Sequence, residues 1–487
     1  MTAERSPFEF RETLVFRGSL KNQYAEYAVR DLVVSRYRHR HPTEASFSFQ
    51  FQQGDRDHAI AYFARNRAVE FVGELEFRDR GMLLRPPPAR LLLRRTHTST
   101  RSIEGIVERM DLAAEPLAFE PTQQTVTIWL TPTHVARRSY EVMIRYRSGE
   151  LFERDFDTAA EPFEVPTDFC TLELSQGAHY EPVEIEGEPA RLDIPFVALH
   201  GEVNTNCLSK DVPALIDGLS AQLQPLESVL SLFSRRHVRI HKYSVYSLGA
   251  DAQTMSCETV RHVNGYSTPS PEYPLVSAQS LSRESIALTV SRLQQSPYRV
   301  PIEKALTFLL AFWQSRYIEQ QVTASFTAFE TLVNGIAAID GSADTVPPEM
   351  FRPLSARVKE TIKLFGKEQG LSSPVRARLY EKVGELQRVA LGSSAESILQ
   401  RYAVEWRDIW SLESAADAQG LRREIVRAYG LRSGLLHAGD TGPISALMID
   451  AAAIHALAER LVCKLLQVPD DWLDHTAYSY AERRFRW

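Results

Sequence analysis

The chain has 487 residues, too many for one ordinary hydrophobic core, so two or three domains are expected. Hydrophobic and charged fractions of 44% and 24% are those of a soluble globular protein. The net charge of -6 argues against a protein that coats nucleic acid wholesale, while leaving room for a local basic site. Cys170, Cys207, Cys257 and Cys463 are scattered without CxxC spacing, which implies neither a disulfide framework nor a zinc site and fits a reducing cytoplasm. The opening "MTAERSPFEF" lacks the basic-then-apolar layout of a signal peptide, and the apolar run "LTFLLAFW" is far short of a span, so no membrane partner is expected.

Residues 1–205 read as strands. "AVEFVGELEF" puts Val69, Phe71, Leu75 and Phe77 on one face at period two, with Gly73 in the same register, and "SFSFQFQQ" does so with Phe47, Phe49 and Phe51. Hairpins are expected around Ser148-Gly149 and Gly187. "RPPPAR" at 85–90 cannot be a central strand and reads as a loop or edge. Short alternating strands with Pro/Gly punctuation suggest an antiparallel β-sandwich-like domain.

From 206 to 280 the pattern is mixed. "VPALIDGLSAQLQPLESVLSLF" spaces Leu215, Leu219, Leu223, Leu226, Leu230 and Phe233 by three and four, an amphipathic helix with a kink expected before Pro225. "VRIHKYSVYSL" and "MSCETVRHVNG" follow as strands. From 281 to 487 helical periodicity dominates, over 281–295, 301–335, 352–369, 373–391, 394–410, 420–437 and 443–467. The predicted fold class is therefore α+β multidomain: a β-rich front (1–205), a mixed α/β junction (206–280) and an all-α back (281–487).

Paired histidines at His39/His41 and His237/His241 have no carboxylate or cysteine cluster to complete a zinc site. There is no P-loop, GxGxxG or G-x-S-x-G, so no metal or cofactor is expected. What remains is "LRSGLLHAGD", in which Arg432 and His437 have the spacing R-x4-H. Five residues along a regular helix is a turn of roughly 140°, so the two side chains do not share a face unaided. Gly434 weakens the helix, Gly439 is placed to end it, and a second subunit packed across a two-fold axis would supply the missing proximity.

"REIVRAYGLRSGLLHAGD" resembles the motif of the HEPN ribonucleases, where a helix delivers Arg, a polar residue, an apolar pair, then His and Gly. It is most similar to the Apea-like branch found in bacterial antiphage proteins. "FLLAFWQSRYIEQQVTASFTAFETLVNG", with Glu330, resembles that family's opening helices; "ALMIDAAAIHALAERLVCKLL" resembles its last one. In this family the polar residue after the Arg is usually Asn, Asp or His, and here it is Ser433.

The resemblance implies a HEPN-type helical bundle acting as a metal-independent endoribonuclease, with Arg432 and His437 catalytic at the interface of a homodimer or higher homo-oligomer. It implies RNA as partner, 2′,3′-cyclic phosphate and 5′-hydroxyl ends, and cytoplasmic abortive-infection defence. A phage-derived trigger or regulatory ligand would act at the N-terminal domain. Glu330, Tyr429 and Ser433 are candidate supporting residues, and Arg422, Arg423 and Arg427 a candidate phosphate track. His437 at a helix C-terminus beside Asp440 is expected to have a raised pKa. The tail "AERRFRW" mixes arginines with Phe485 and Trp487 that would stack on bases. The competing reading is a catalytically inactive HEPN-like module that binds RNA, nucleotide or protein.

Overall fold

The structure is a computed structural model. It describes residues 11–21, 26–37, 45–50, 69–78, 81–82, 88–98, 102–112, 117–130, 143–146, 164–185, 188–261, 275–276, 283–315, 317–385, 387, 389–410, 417–438 and 444–469. The chain divides into two compact units, residues 1–270 with 276–287, and residues 271–275 with 288–487.

In the first unit, strands β1 (Arg11–Lys21), β2 (Glu26–Tyr37), β3 (Ala45–Gln50), β4 (Val69–Arg78), β6 (Pro88–Thr98) and β7 (Ser102–Leu112) close into a ring. Every neighbouring pair is antiparallel: β1 with β2 and β4, β2 with β3, β3 with β7, β7 with β6, and β6 with β4. β5 (Gly81–Met82) adds a short pairing on β4. This is a six-stranded barrel where a sandwich was expected. Alternation serves both architectures equally; closure comes from β6 pairing on both edges, a long-range fact no local pattern carries. The interior holds Leu14, Phe16, Leu32, Phe47, Phe49, Phe71, Leu91, Leu93, Ile103 and Met110, with Phe16 and Phe71 edge-on at 6.2 Å. Burying each Phe contributes about 1.5–3 kcal/mol.

The same closure corrects the second half of "RPPPAR", whose residues 85–87 lie outside the described residues: Pro88 opens β6, pairing with Glu74, and Ala89 and Arg90 are paired on both sides. Proline is tolerated there because the first residue of a strand need not donate to the ladder. Gly73 takes an apolar register position because β1 and β4 approach closely where Gly18 and Gly73 are partners. A Cβ at Gly73 would lie 2.2 Å from the Arg17 carbonyl oxygen and 2.8 Å from the Gly18 Cα.

β7 also carries the fold beyond the barrel. Its residues Arg109–Leu112 pair with β14 (Thr254–Arg261), which continues through β13 (Ile240–Gly249), β8 (Pro121–Leu130), β12 (Glu188–Glu202), β11 (Thr171–Ile185) and β10 (Glu164–Pro166). β9 (Met143–Tyr146) pairs with β12; the turn expected at Ser148-Gly149 lies outside the described residues. β11 and β12 pair down to Ile185 and Glu188, the hairpin expected around Gly187. The β13–β14 hairpin sits between β8 and β7, so two strands of the mixed stretch at 206–280 are part of this sheet. Helix α1 (Val212–Ser234) buries Leu215, Leu219, Leu223, Leu226, Leu230 and Phe233, is capped by Asp211 accepting from the Ala214 N–H at 3.0 Å, and runs unbroken through Pro225.

Helix α2 (Arg283–Gln295) crosses the division between units. The second unit continues with α3 (Arg299–Gln314), α4 (Ile318–Ile339), α5 (Pro348–Glu368), α6 (Ser373–Glu385), α7 (Leu391–Arg401), α8 (Ala418–Ala438) and α9 (Ile444–Leu465). The helix expected at 301–335 is two. Ser315 is extended, its hydroxyl accepts from the Tyr317 N–H at 3.2 Å, and the Gln321 amide donates to the carbonyls of Phe312 and Ser315. Those bonds satisfy the end of α3. α4 packs against α3, α7, α8 and α9, and buries Phe326, Phe329, Leu332, Val333 and Ile336. It is long and apolar enough to cross a membrane, with 56% of that window buried inside the bundle. α9 is buried nearly all round, from Leu447 to Cys463.

Gly73→Ala is expected to destabilise the barrel by about 1–3 kcal/mol, because the opposing atoms are backbone and cannot rotate away. Gly430→Ala, where an added Cβ meets nothing within 4 Å, is expected to be neutral or stabilising by about 0.5–1 kcal/mol. Denaturant unfolding followed by circular dichroism checks both; a harmless Gly73→Ala would contradict the close approach.

Candidate functional site

Asp417 accepts from the Gly420 N–H at 2.7 Å and opens α8. Along the helix, Leu421, Ile425 and Ala428 turn inward to the core, while Arg422, Arg423 and Ser433 are exposed. Tyr429 and Arg432 are three apart on α8, and Phe326 and Glu330 four apart on α4, so each pair shares one face of its helix. The two faces meet. The Tyr429 and Phe326 rings pack edge-on at 4.7 Å, and the Tyr429 hydroxyl donates to the Phe326 carbonyl at 3.1 Å.

The Arg432 guanidinium lies 5.8 Å from the Phe326 ring centre and 5.9 Å from that of Tyr429, and donates through Nη1 to Glu330 Oε1 at 3.3 Å. Its side chain is 19% exposed. Arg432 Nε is buried without an acceptor among the described residues. Burial pushes the Tyr429 phenol well above its ordinary value, with the Glu330 carboxylate adding to the rise and Arg432 opposing it. The tyrosine therefore stays neutral and acts as a wall and a hydrogen-bond donor.

His437 follows on the same helix, five residues after Arg432 and one before its last residue. Its side chain, Asp440 and the tail with Phe485 and Trp487 lie outside the described residues, while Gly434 lies within α8. Thus Arg432, Glu330 and Tyr429 are brought together, and Ser433 lies on the exposed side.

The three arginines upstream part company. All three are exposed, but Arg427 reaches across to a buried carboxylate on α9. It holds Asp450 by two bonds of 2.8 and 2.5 Å, and Glu424 by one of 2.8 Å. Its guanidinium, 46% exposed, is thus paired with two carboxylates. The partner was hidden in the run "ALMIDAAAIHAL": an acid in an apolar helix needs a cation, but the sequence does not say which. Asp450 is 2% exposed, and burial raises its carboxyl above the usual range while Arg427 pulls it down.

α9 also carries a buried polar group that the sequence reading missed. The His455 ring stacks on Phe312 at 4.2 Å, and its Nε2 lies 3.2 Å from Glu459 Oε1, which accepts from Trp313 Nε1 at 3.3 Å. Arg460 forks onto Asp408 at 2.6 Å through both nitrogens. Among the described residues no three His, Cys, Asp or Glu side chains are grouped to hold a metal ion. His237 is pushed down to about 4 by burial, with Arg239 adding to the effect, and stays neutral. His39 and His41 lie outside the described residues.

The chain matches no protein-family model, no curated protein and no solved structure.

Arg427→Ala strands a buried carboxylate and is expected to cost about 3 kcal/mol at neutral pH. Asp450→Asn is expected to cost less, because the guanidinium, 46% exposed, turns to water. The folded carboxyl already titrates above its unfolded value, so this group favours folding most at low pH; losing Arg427 raises it further. The extra penalty belongs to the ionised form, is full above the raised folded value and fades as pH falls through it. Thermal melts between about pH 4 and 8 read this directly; a penalty that grows toward acid contradicts it.

Proposed function

We propose that this chain is a metal-independent endoribonuclease whose working pair is Arg432 and His437. The observation that carries the reading is Arg432 itself, a guanidinium steadied by Glu330, Phe326 and Tyr429 on the helix that also bears His437. A guanidinium so steadied has less rotamer freedom to lose when it takes a phosphate, and its planar donors suit two oxygens at once.

In the proposed reaction the ribose 2′-hydroxyl gives up its proton to solvent water as its oxygen attacks phosphorus and forms the new P–O bond. The bond to the 5′-oxygen breaks, and that oxygen leaves with a proton supplied by the His437 imidazolium. Arg432 stabilises the extra negative charge on the five-coordinate phosphorus. Glu330 and Tyr429 are positioning residues. The products are a 2′,3′-cyclic phosphate and a 5′-hydroxyl, and no protein nucleophile or metal enters. By its resemblance to the Apea-like HEPN proteins, the chain acts as a homodimer or larger homo-oligomer in cytoplasmic antiphage defence, with its β-rich unit receiving the trigger.

A second reading, a non-catalytic RNA-, nucleotide- or protein-binding module, is favoured by the commitment of Arg432 to Glu330 and by Ser433 where the family carries a stronger polar partner. Incubating the purified protein with RNA in the presence of a chelator separates the two. Arg432→Ala and His437→Ala are each expected to lower cleavage by about 100-fold or more while folding and assembly persist. Glu330→Gln, which keeps an acceptor, is expected to cost less. Cleavage that survives both substitutions, or 3′-hydroxyl ends, would sink the nuclease reading; RNA retention without cleavage would support the module.

A further inference from the structure

The helical pair α5 and α6 carries six of the fourteen exposed large apolar side chains among the described residues: Met350, Leu354, Leu364, Phe365, Val375 and Leu379. Such a concentration on a short stretch marks an interaction surface. The two helices are joined by a tight turn. Gly370 is left-handed, its N–H bonds to the Lys367 carbonyl, and the Leu371 N–H reaches back to the Gly366 carbonyl at 2.8 Å. This is the glycine-terminated end that closes a helix with its last carbonyls satisfied. A Cβ built on Gly366 would stand 2.7 Å from the Arg376 side chain, so the two helices are held together just behind the turn. Four of the exposed apolar residues flank that turn: Leu364 at 59% and Phe365 at 53% exposure before it, Val375 at 42% and Leu379 at 37% after it.

Basic residues outnumber acidic ones around them. Residues 348–385 hold eight Lys and Arg against five Asp and Glu, a net of +3 in a chain that is -6 overall. Lys363, Lys367, Arg376, Arg378 and Lys382 lie about the turn itself against Glu360, Glu368 and Glu381, with Lys363 3.5 Å from Glu360 and both side chains at least half exposed. On α5 the apolar positions Met350, Leu354, Leu364 and Phe365 fall on one side of the helical wheel, while Arg352, Lys359, Lys363 and Lys367 fall on the opposite side.

We propose that the α5–α6 turn docks on the surface of an anionic phospholipid bilayer. The combination needs an occupant both apolar and negative. An anionic bilayer offers headgroup phosphates to the lysines and arginines and acyl chains to Leu364, Phe365, Val375 and Leu379. RNA would pair with the basic residues and leave Leu364, Val375 and Leu379 without a counterpart. A partner helix lays its apolar face in a groove, whereas these residues flank a turn. The contact is peripheral and involves no span, and it stands apart from the nuclease reading.

Co-sedimentation of the full chain with phosphatidylcholine vesicles containing about one-third phosphatidylglycerol tests it, beside vesicles of phosphatidylcholine alone. Binding is expected to the anionic vesicles and at least ten-fold less to the neutral ones, falling as salt rises from about 0.1 to 0.5 M. Leu364→Ser with Phe365→Ser, and separately Lys363→Glu with Lys367→Glu, are each expected to lower it ten-fold or more with unchanged circular dichroism. In Phe365→Trp the added emission is expected to shift to the blue on anionic vesicles only. Failure of the unaltered chain to bind, or binding indifferent to both pairs of substitutions, overturns the proposal. So does a change in oligomer size or RNA retention caused by the apolar pair without any vesicle effect, which would identify a second copy or RNA as the occupant.

Discussion

The contact between α4 and α8 is the constraint on which the candidate site rests. Phe326 and Tyr429 set the spacing of the two helices by an edge-on ring contact, and the hydroxyl-to-carbonyl bond fixes their rotation. One turn further along each helix, Glu330 and Arg432 repeat the match in charge. Because both pairs lie at three- or four-residue spacing, a register slip between the helices would break the ring contact and the ion pair together. α4 in turn is wedged among α3, α7 and α9, so the arginine's position is inherited from the packing of the whole bundle rather than from a loop.

α9 poses the opposite problem, since it brings Asp450, His455, Glu459 and Arg460 into the interior. Each acquires a partner on another element or on the same helix: Arg427, Phe312 and Trp313, or Asp408. Buried ionic groups of this kind add little net stability, but they penalise any alternative packing that leaves one of them alone. The gross stability of the bundle comes from the apolar faces that surround them.

What could be read from the sequence follows from how local each determinant is. The faces of β3 and β4 were legible because one side of each strand is core, so Phe47 and Phe49, or Val69, Phe71 and Leu75, repeat at period two. The barrel was not, because closure depends on β6 finding β4 on one edge and β7 on the other. Gly73 shares the register of the apolar residues in the sequence; the partner that requires a glycine there, Gly18, lies fifty-five residues away. The break between α3 and α4 depends on a side chain, Gln321, bonding backwards to carbonyls, against a helical pattern that runs straight through. Glu330 beside Arg432 was anticipated through resemblance alone, and Phe326, which sits under the same guanidinium, was not. Arg427 shows the limit most clearly: beside Arg422 and Arg423 it reads as one more surface cation, and only the fold pairs it with a carboxylate from the next helix.

β7 belongs to two structures at once. Along one edge it faces β6 throughout, and along the other it hands over from β3 to β14 within a few residues. A strand with two owners cannot be withdrawn from one without loosening the other. The barrel and the open sheet thus share a single mechanical fate, and a force or ligand that pries at β14 is felt inside the barrel through the backbone they hold in common.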